Sequence, residues 1–96
     1  MKKYIVTTTI NEPTLATRRF CKIAQEKDWK FLIIGDTKTP HSLYNKLEEE
    51  YSNFSYMHPD TQELNYPMLS KAIGWKTIQR RNIGLITAYD EGADII

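Results

Sequence analysis

Apolar positions along the chain recur in two rhythms, and the switching between them predicts the fold. Tyr4 to Ile10 is rich in aromatic and β-branched residues, which suit a pleated, buried surface, and reads as a first strand. Asn11-Glu12-Pro13-Thr14 ends it, since Asn or Thr can cap a helix and Pro is tolerated in a first turn. From about Thr14 to Lys27 the spacing becomes helical. Ala16, Phe20, Ile23 and Ala24 fall at i, i+4, i+7 and i+8 as one apolar stripe, with Arg18, Arg19, Lys22, Gln25 and Glu26 over most of the rest. Trp29 to Ile34 is a nearly continuous apolar run. A strand apolar on both faces is what a parallel sheet covered by helices requires.

Gly35 to Pro40 is a loop by composition, and a helix begins near Pro40 with Leu43, Leu47 and Tyr51 spaced by four. Phe54 to Met57 is a short third strand. His58 to Tyr66 is polar and holds Pro59, which predicts a loop. Pro67 opens a short helical stretch in which Leu69, Ala72 and Ile73 share a face. After Gly74-Trp75-Lys76 a longer helix is predicted over Thr77 to Glu91, with Gly92 as its stop and Ala93 to Ile96 as the start of a fourth strand. The alternation β-α-β-α-β-α-α-β predicts a single α/β unit over residues 1–96, with a parallel sheet of about four strands and right-handed crossovers.

Composition narrows the picture in three respects. A chain of 96 residues, 41% hydrophobic and 26% charged, can bury one modest core, and this balance excludes disorder, collagen-like repeats and a coiled coil. Against 12 Asp+Glu, 13 Lys+Arg leave a formal charge of +1, so no global field recruits nucleic acid or an anionic membrane. Glu48-Glu49-Glu50 reads as a solvated helix face. Cys21, the single cysteine, forbids an internal disulfide, fits a reducing compartment and reads as a packed thiol. The start Met1-Lys2-Lys3-Tyr4-Ile5-Val6 breaks into three threonines too soon for a signal-peptide core, and no stretch approaches a membrane span. The expected location is cytoplasmic.

In open parallel α/β sheets ligands bind beyond the carboxyl ends of the strands. Thr8 to Asn11 and Gly35 to Thr39 are therefore the candidate segments, together with whatever follows Ile96. Thr-Ile-Asn-Glu-Pro after the first strand carries neither G-x-G-x-x-G nor G-x-x-x-x-G-K-[ST], which sets aside dinucleotide and P-loop readings. His41 and His58 lack metal-ligand spacing and read as surface or loop residues. Asp36, directly after a buried strand, can accept hydrogen bonds from a ribose hydroxyl or a base N–H. It can equally stabilise the Gly-Asp-Thr turn.

Arg81-Asn82-Ile83-Gly84 opening a helix, followed by Ala88, Gly92-Ala93 and an apolar strand, resembles the middle of GT-A glycosyltransferases. The sequence Ile5-Val6-Thr7-Thr8-Thr9-Ile10-Asn11-Glu12-Pro13-Thr14 together with Phe31-Leu32-Ile33-Ile34-Gly35-Asp36-Thr37-Lys38-Thr39-Pro40 is similar, more closely, to the STELLO-type glycosyltransferase family. The resemblance spans nearly the whole chain in order. It implies a Rossmann-like, GT-A-type sheet that binds the nucleotide of a nucleotide-sugar, a UDP-sugar in particular. Thr8, Thr9, Ile10 and Asn11 would lie against nucleobase and ribose, Asp36 would meet the uracil or ribose edge, and Arg81 and Asn82 would face the phosphates. An Arg suits that place because its planar fork binds phosphate oxygens bidentately. The resemblance also implies a divalent cation, Mn or Mg, on the diphosphate, held by consecutive aspartates after the strand at Ala93 to Ile96. These residues hold no such run, so the expectation is the donor-nucleotide half of a transferase, incomplete at its C-terminal end and inactive alone. The alternative expectation is a non-catalytic α/β module that forms homo-oligomers through an exposed sheet edge.

Overall fold

The computed structural model describes residues 1–96. In chain order the elements are β1 (Tyr4–Thr9), α1 (Leu15–Lys27), β2 (Lys30–Gly35), α2 (His41–Glu50), β3 (Phe54–Met57), α3 (Pro59–Asn65), α4 (Pro67–Ile73) and α5 (Arg81–Asp90), with a single 3-10 turn at Ile78–Arg80. The strands form a parallel sheet in the order β1-β2-β3, with Tyr4 opposite Lys30, Thr9 opposite Gly35 and Phe31 opposite Phe54. The α/β fold with a parallel sheet between helices is therefore as the hydrophobic pattern predicts, and its topology is compatible with a Rossmann-like arrangement.

Because side chains alternate along a strand, β2 supplies two cores at once. Phe31 and Ile33 pack on one face with Cys21 and Ala24 of α1, Tyr44 and Leu47 of α2, and Phe54 and Tyr56 of β3. Leu32 and Ile34 pack on the other face with Ile83 of α5, flanked by Val6, Leu69 and Ile73. Cys21 is a fully buried thiol, and desolvation pushes its pKa up to about 11, so it is a packing residue. Thr14 begins α1 with a reciprocal cap: its hydroxyl accepts from the Thr17 amide at 3.2 Å, and the Thr17 hydroxyl accepts from the Thr14 amide at 3.1 Å. Glu48, Glu49 and Glu50 are exposed along α2. No helix is long and apolar enough to cross a membrane.

The structure corrects the sequence reading in four places. His58 to Tyr66 is not a loop: residues Pro59–Asn65 are helical, begun by Pro59 at the first position and by the His58 ring, whose Nδ1 accepts from the Asp60 amide at 3.0 Å. The pattern concealed this helix because it buries only Pro59 and Gln62. The buried faces of α1 and α2 are turned by one residue from the apolar stripes. Cys21 and Ala24, and Tyr44 and Leu47, point at the sheet, while Phe20, Ile23 and Leu43 stay exposed. The helix predicted from Thr77 is divided, with Thr77 capping the 3-10 turn before α5 starts. Residues 93–96 make one parallel bridge, Lys3 to Ile95, in place of a fourth strand. There the Asp94 and Ile95 amides converge on the same Lys2 carbonyl, which spends two donors on one acceptor instead of advancing a ladder.

Candidate functional site

A cleft of about 330 Å³ opens at the carboxyl ends of β1 and β2, within the size range of small-ligand sites. Three separate segments line it. Thr8, Thr9, Ile10 and Asn11 come from the exit of β1, and Asp36 and Lys38 from the exit of β2. Lys76, Thr77 and Ile78 come from the connection between α4 and α5.

Hydroxyl bonds knit the two strand exits together. Thr8 donates to the Ile34 carbonyl at 2.7 Å, and Thr39 donates to the Thr9 carbonyl at 2.6 Å while accepting from the Asp36 amide at 2.8 Å. Tyr44 donates to the Asn11 carbonyl at 2.7 Å. Threonine suits these positions because its methyl fits a half-buried pleat and its hydroxyl can bridge to a neighbouring chain end. The result is a rigid floor.

Asp36 is 2% exposed and fastens the third segment to that floor. One carboxylate oxygen accepts from the Thr37 amide and hydroxyl, and the other accepts from the Lys76 amide at 2.7 Å. Lys76 is held there with φ at +62°, a conformation uncommon for any residue with a Cβ. Asp36 therefore makes the turn, as one of its two sequence readings has it, and it also borders the cleft.

Behind the connection lies a buried polar network centred on Arg80, which is fully buried. Its guanidinium donates to the carbonyls of Ser70 (3.0 Å) and Gly74 (3.2 Å), to Gln62 Oε1 (2.7 Å) and to Ser70 Oγ (2.9 Å). The Trp75 ring covers it at 3.6 Å. Gln62 in turn donates to the Gly35 and Met57 carbonyls at the ends of β2 and β3. No carboxylate pairs with Arg80, and its Nε has no partner. Desolvation lowers its pKa, while the charges of Asp36 and Glu63 act in the opposite direction. Arg80 is thus no solvated helix residue: the chain folds back over it because its fork satisfies four acceptors at once.

Of the residues singled out from sequence, Thr8, Thr9, Ile10, Asn11 and Asp36 share the cleft. Arg81 and Asn82 do not line it. They are exposed on the first turn of α5, whose Gly84 lies against Val6 and Ile34 of the sheet. Lys38, Lys76, Thr77 and Ile78 are the lining residues that sequence reasoning did not assign. Lys38 lay inside the G-D-x-K-T-P segment, but nothing in linear order brings 76–78 to the end of β1. His41 and His58 are in ring contact, with centroids 4.2 Å apart, and His41 Nδ1 meets the Tyr56 hydroxyl. A second depression, about 370 Å³, lies at the opposite edge among Lys2, Tyr4, Trp29 and Asn53. Two of its polar side chains are already engaged, Lys2 on the Glu91 carbonyl and Asn53 on the Ala24 and Trp29 carbonyls. The cleft at the strand exits is the better site because open parallel α/β sheets bind ligands beyond the carboxyl ends of their strands.

As a cation site the cleft does not fit. Asp36 is its single carboxylate, already engaged by three donors, and two lysines stand beside it. No group of three or more His, Cys, Asp or Glu side chains is disposed to hold a metal. No protein-family model matches the chain, and no curated protein matches it.

Proposed function

We propose that this chain binds the nucleotide of a nucleotide-sugar, a UDP-sugar by the motif resemblance, as the donor half of a GT-A-like glycosyltransferase domain. One observation supports the reading above the others. Four consecutive residues at the carboxyl end of β1 and the acid after β2, each assigned to the nucleotide from motif resemblance, border a single cleft. Thr8, Thr9 and Asn11 offer hydroxyl and amide groups of both polarities, which suit ribose hydroxyls and the edge of a pyrimidine. Ile10 and Ile78 are exposed apolar side chains at the rim, suited to cover the faces of a planar base. Arg81 and Asn82, on the first turn of α5, are in this reading the outer contacts of the phosphates.

The divalent cation that the resemblance implies would need acids other than those in the cleft. No transfer step is derived from these residues; the reading is one of binding. Titration with UDP, followed by calorimetry and by backbone amide shifts, tests it. The expected result is weak, saturable binding with shifts at Thr8–Asn11 and at Lys76–Ile78. No heat and no shifts at millimolar UDP would remove the reading.

A second reading has its own observation. Beyond the Lys3–Ile95 bridge the outer edge of β1 pairs with no strand, and Phe20 and Ile23 lie exposed on α1. Such an edge favours self-association through strand pairing. A monomer mass by light scattering at high protein concentration would exclude it.

A further inference from the structure

Building on the nucleotide reading of the cleft, we infer that Lys38 and Lys76 form a clamp for a diphosphate group, and that this clamp needs no divalent cation. The two side chains come from different segments, the exit of β2 and the α4–α5 connection, and both border the cleft. Neither ammonium group has a hydrogen-bond or ion-pair partner within the chain. At the opposite edge of the sheet Lys2 and Lys30 are both spent on Glu91, and Lys3 lies over the Trp29 ring. The acid nearest the clamp makes no ion pair with it. Asp36 gives its two oxygens to Thr37 and to the backbone amide of Lys76, so it positions that lysine without pairing with its charge.

Arg80 adds to the same field. It is fully buried four residues after Lys76, and every group that accepts from it is neutral. A charge held in low dielectric without a carboxylate partner projects farther than one paired at the surface. Lys38, Lys76 and Arg80 therefore put three cations at this end of the sheet, against Asp36 in the cleft and Glu63 behind Arg80, in a chain whose overall charge is only +1. Such a field accepts a multiply charged oxyanion and repels a divalent cation. The backbone agrees with that arrangement. Lys76 keeps a left-handed conformation at φ +62° instead of relaxing, and the bond from its amide to Asp36 holds it there. The Asn11 side-chain amide, the acceptor side of the Thr8 hydroxyl and the donor side of the Thr9 hydroxyl are left to the uncharged part of the ligand.

The test compares UDP, uridine and inorganic pyrophosphate, each titrated in EDTA and again with magnesium. UDP and pyrophosphate are expected to bind in EDTA. Lys38→Gln and Lys76→Gln should each weaken both by about tenfold, the loss of one charge-assisted hydrogen bond, with uridine unaffected. Both lysines are exposed, so the variants should keep the wild-type melting temperature, which is checked alongside. Failure of pyrophosphate to bind at millimolar concentration overturns the clamp. So does an unchanged UDP affinity in both variants, or binding that appears only with magnesium. If UDP still shifts the Thr8–Asn11 amides in that case, the nucleotide reading survives without the clamp. If pyrophosphate binds through the lysines but UDP binds no more tightly, the clamp stands and the nucleotide reading is lost.

Discussion

Gly84 offers the sharpest test of how α5 is seated on the sheet. A Cβ built at this position would overlap Val6 Cγ1 and lie 2.7 Å from Ile34 Cγ1, so no larger residue fits without moving the helix or the strands. Both neighbours are β-branched and stiff at χ1, and both belong to the sheet, so neither can swing aside. Two effects oppose one another in Gly84→Ala. Replacing Gly within a helix ordinarily stabilises by about 1 kcal/mol. Overpacking a close-packed contact costs about 1–3 kcal/mol, and two overlaps place this site at the upper end. The expected net loss is about 1–2 kcal/mol, or a fall in Tm of roughly 5–15 °C for a domain of this size. Urea unfolding followed by circular dichroism measures it. The paired variant Val6→Ala/Gly84→Ala should recover part of the loss, because the first change makes room for the second. Gly74→Ala is the contrasting control. Nothing lies within 4 Å of its Cβ position, yet its φ of +77° and ψ of 176° are strained for any L side chain, so its loss should resist rescue by truncating neighbours. A Gly84→Ala protein as stable as the parent, or more so, would refute the close seating of α5.

Arg80 and His41 give further expectations. Arg80→Met keeps bulk but strands the acceptors of Ser70, Gly74 and Gln62, and should cost about 3 kcal/mol or more; Arg80→Lys, lacking the fork, should recover little of it. A denaturation midpoint equal to the parent's would show that the network is not structural. The pKa of His41 is lowered, first by burial and then by the neighbouring His58, with Asp60 acting in the opposite direction. A lowered folded pKa means that the fold resists protonation there. The associated stability is present above the unfolded value of about 6.5 and is lost as pH falls through the folded one. His41→Gln should therefore narrow the stability difference between neutral and mildly acidic solution, and an unaltered pH dependence would remove His41 as its source.

The amino-acid order alone was enough for the class of fold. An apolar run in β2 with no polar alternation demands cover on both faces, and the helical spacing on either side provides it. Thr8 to Asn11 and Asp36 could also be placed at one edge from sequence, because parallel strands bring their exits together. What linear order could not show was rotation and return. The choice of Cys21 over Phe20 as the inward residue depends on where α1 lies above β2, and hydrophobicity alone favours Phe. The third wall of the cleft is a still clearer case. Lys76 comes within hydrogen-bonding distance of Asp36 across 40 positions, through an αL backbone, a buried arginine and a glutamine that grips two strand ends. Those contacts are satisfied only when the sheet, α3 and α4 are already in place. Local periodicity determined the scaffold because it reports burial one element at a time; the site was decided by tertiary structure because its polar groups find partners only across elements.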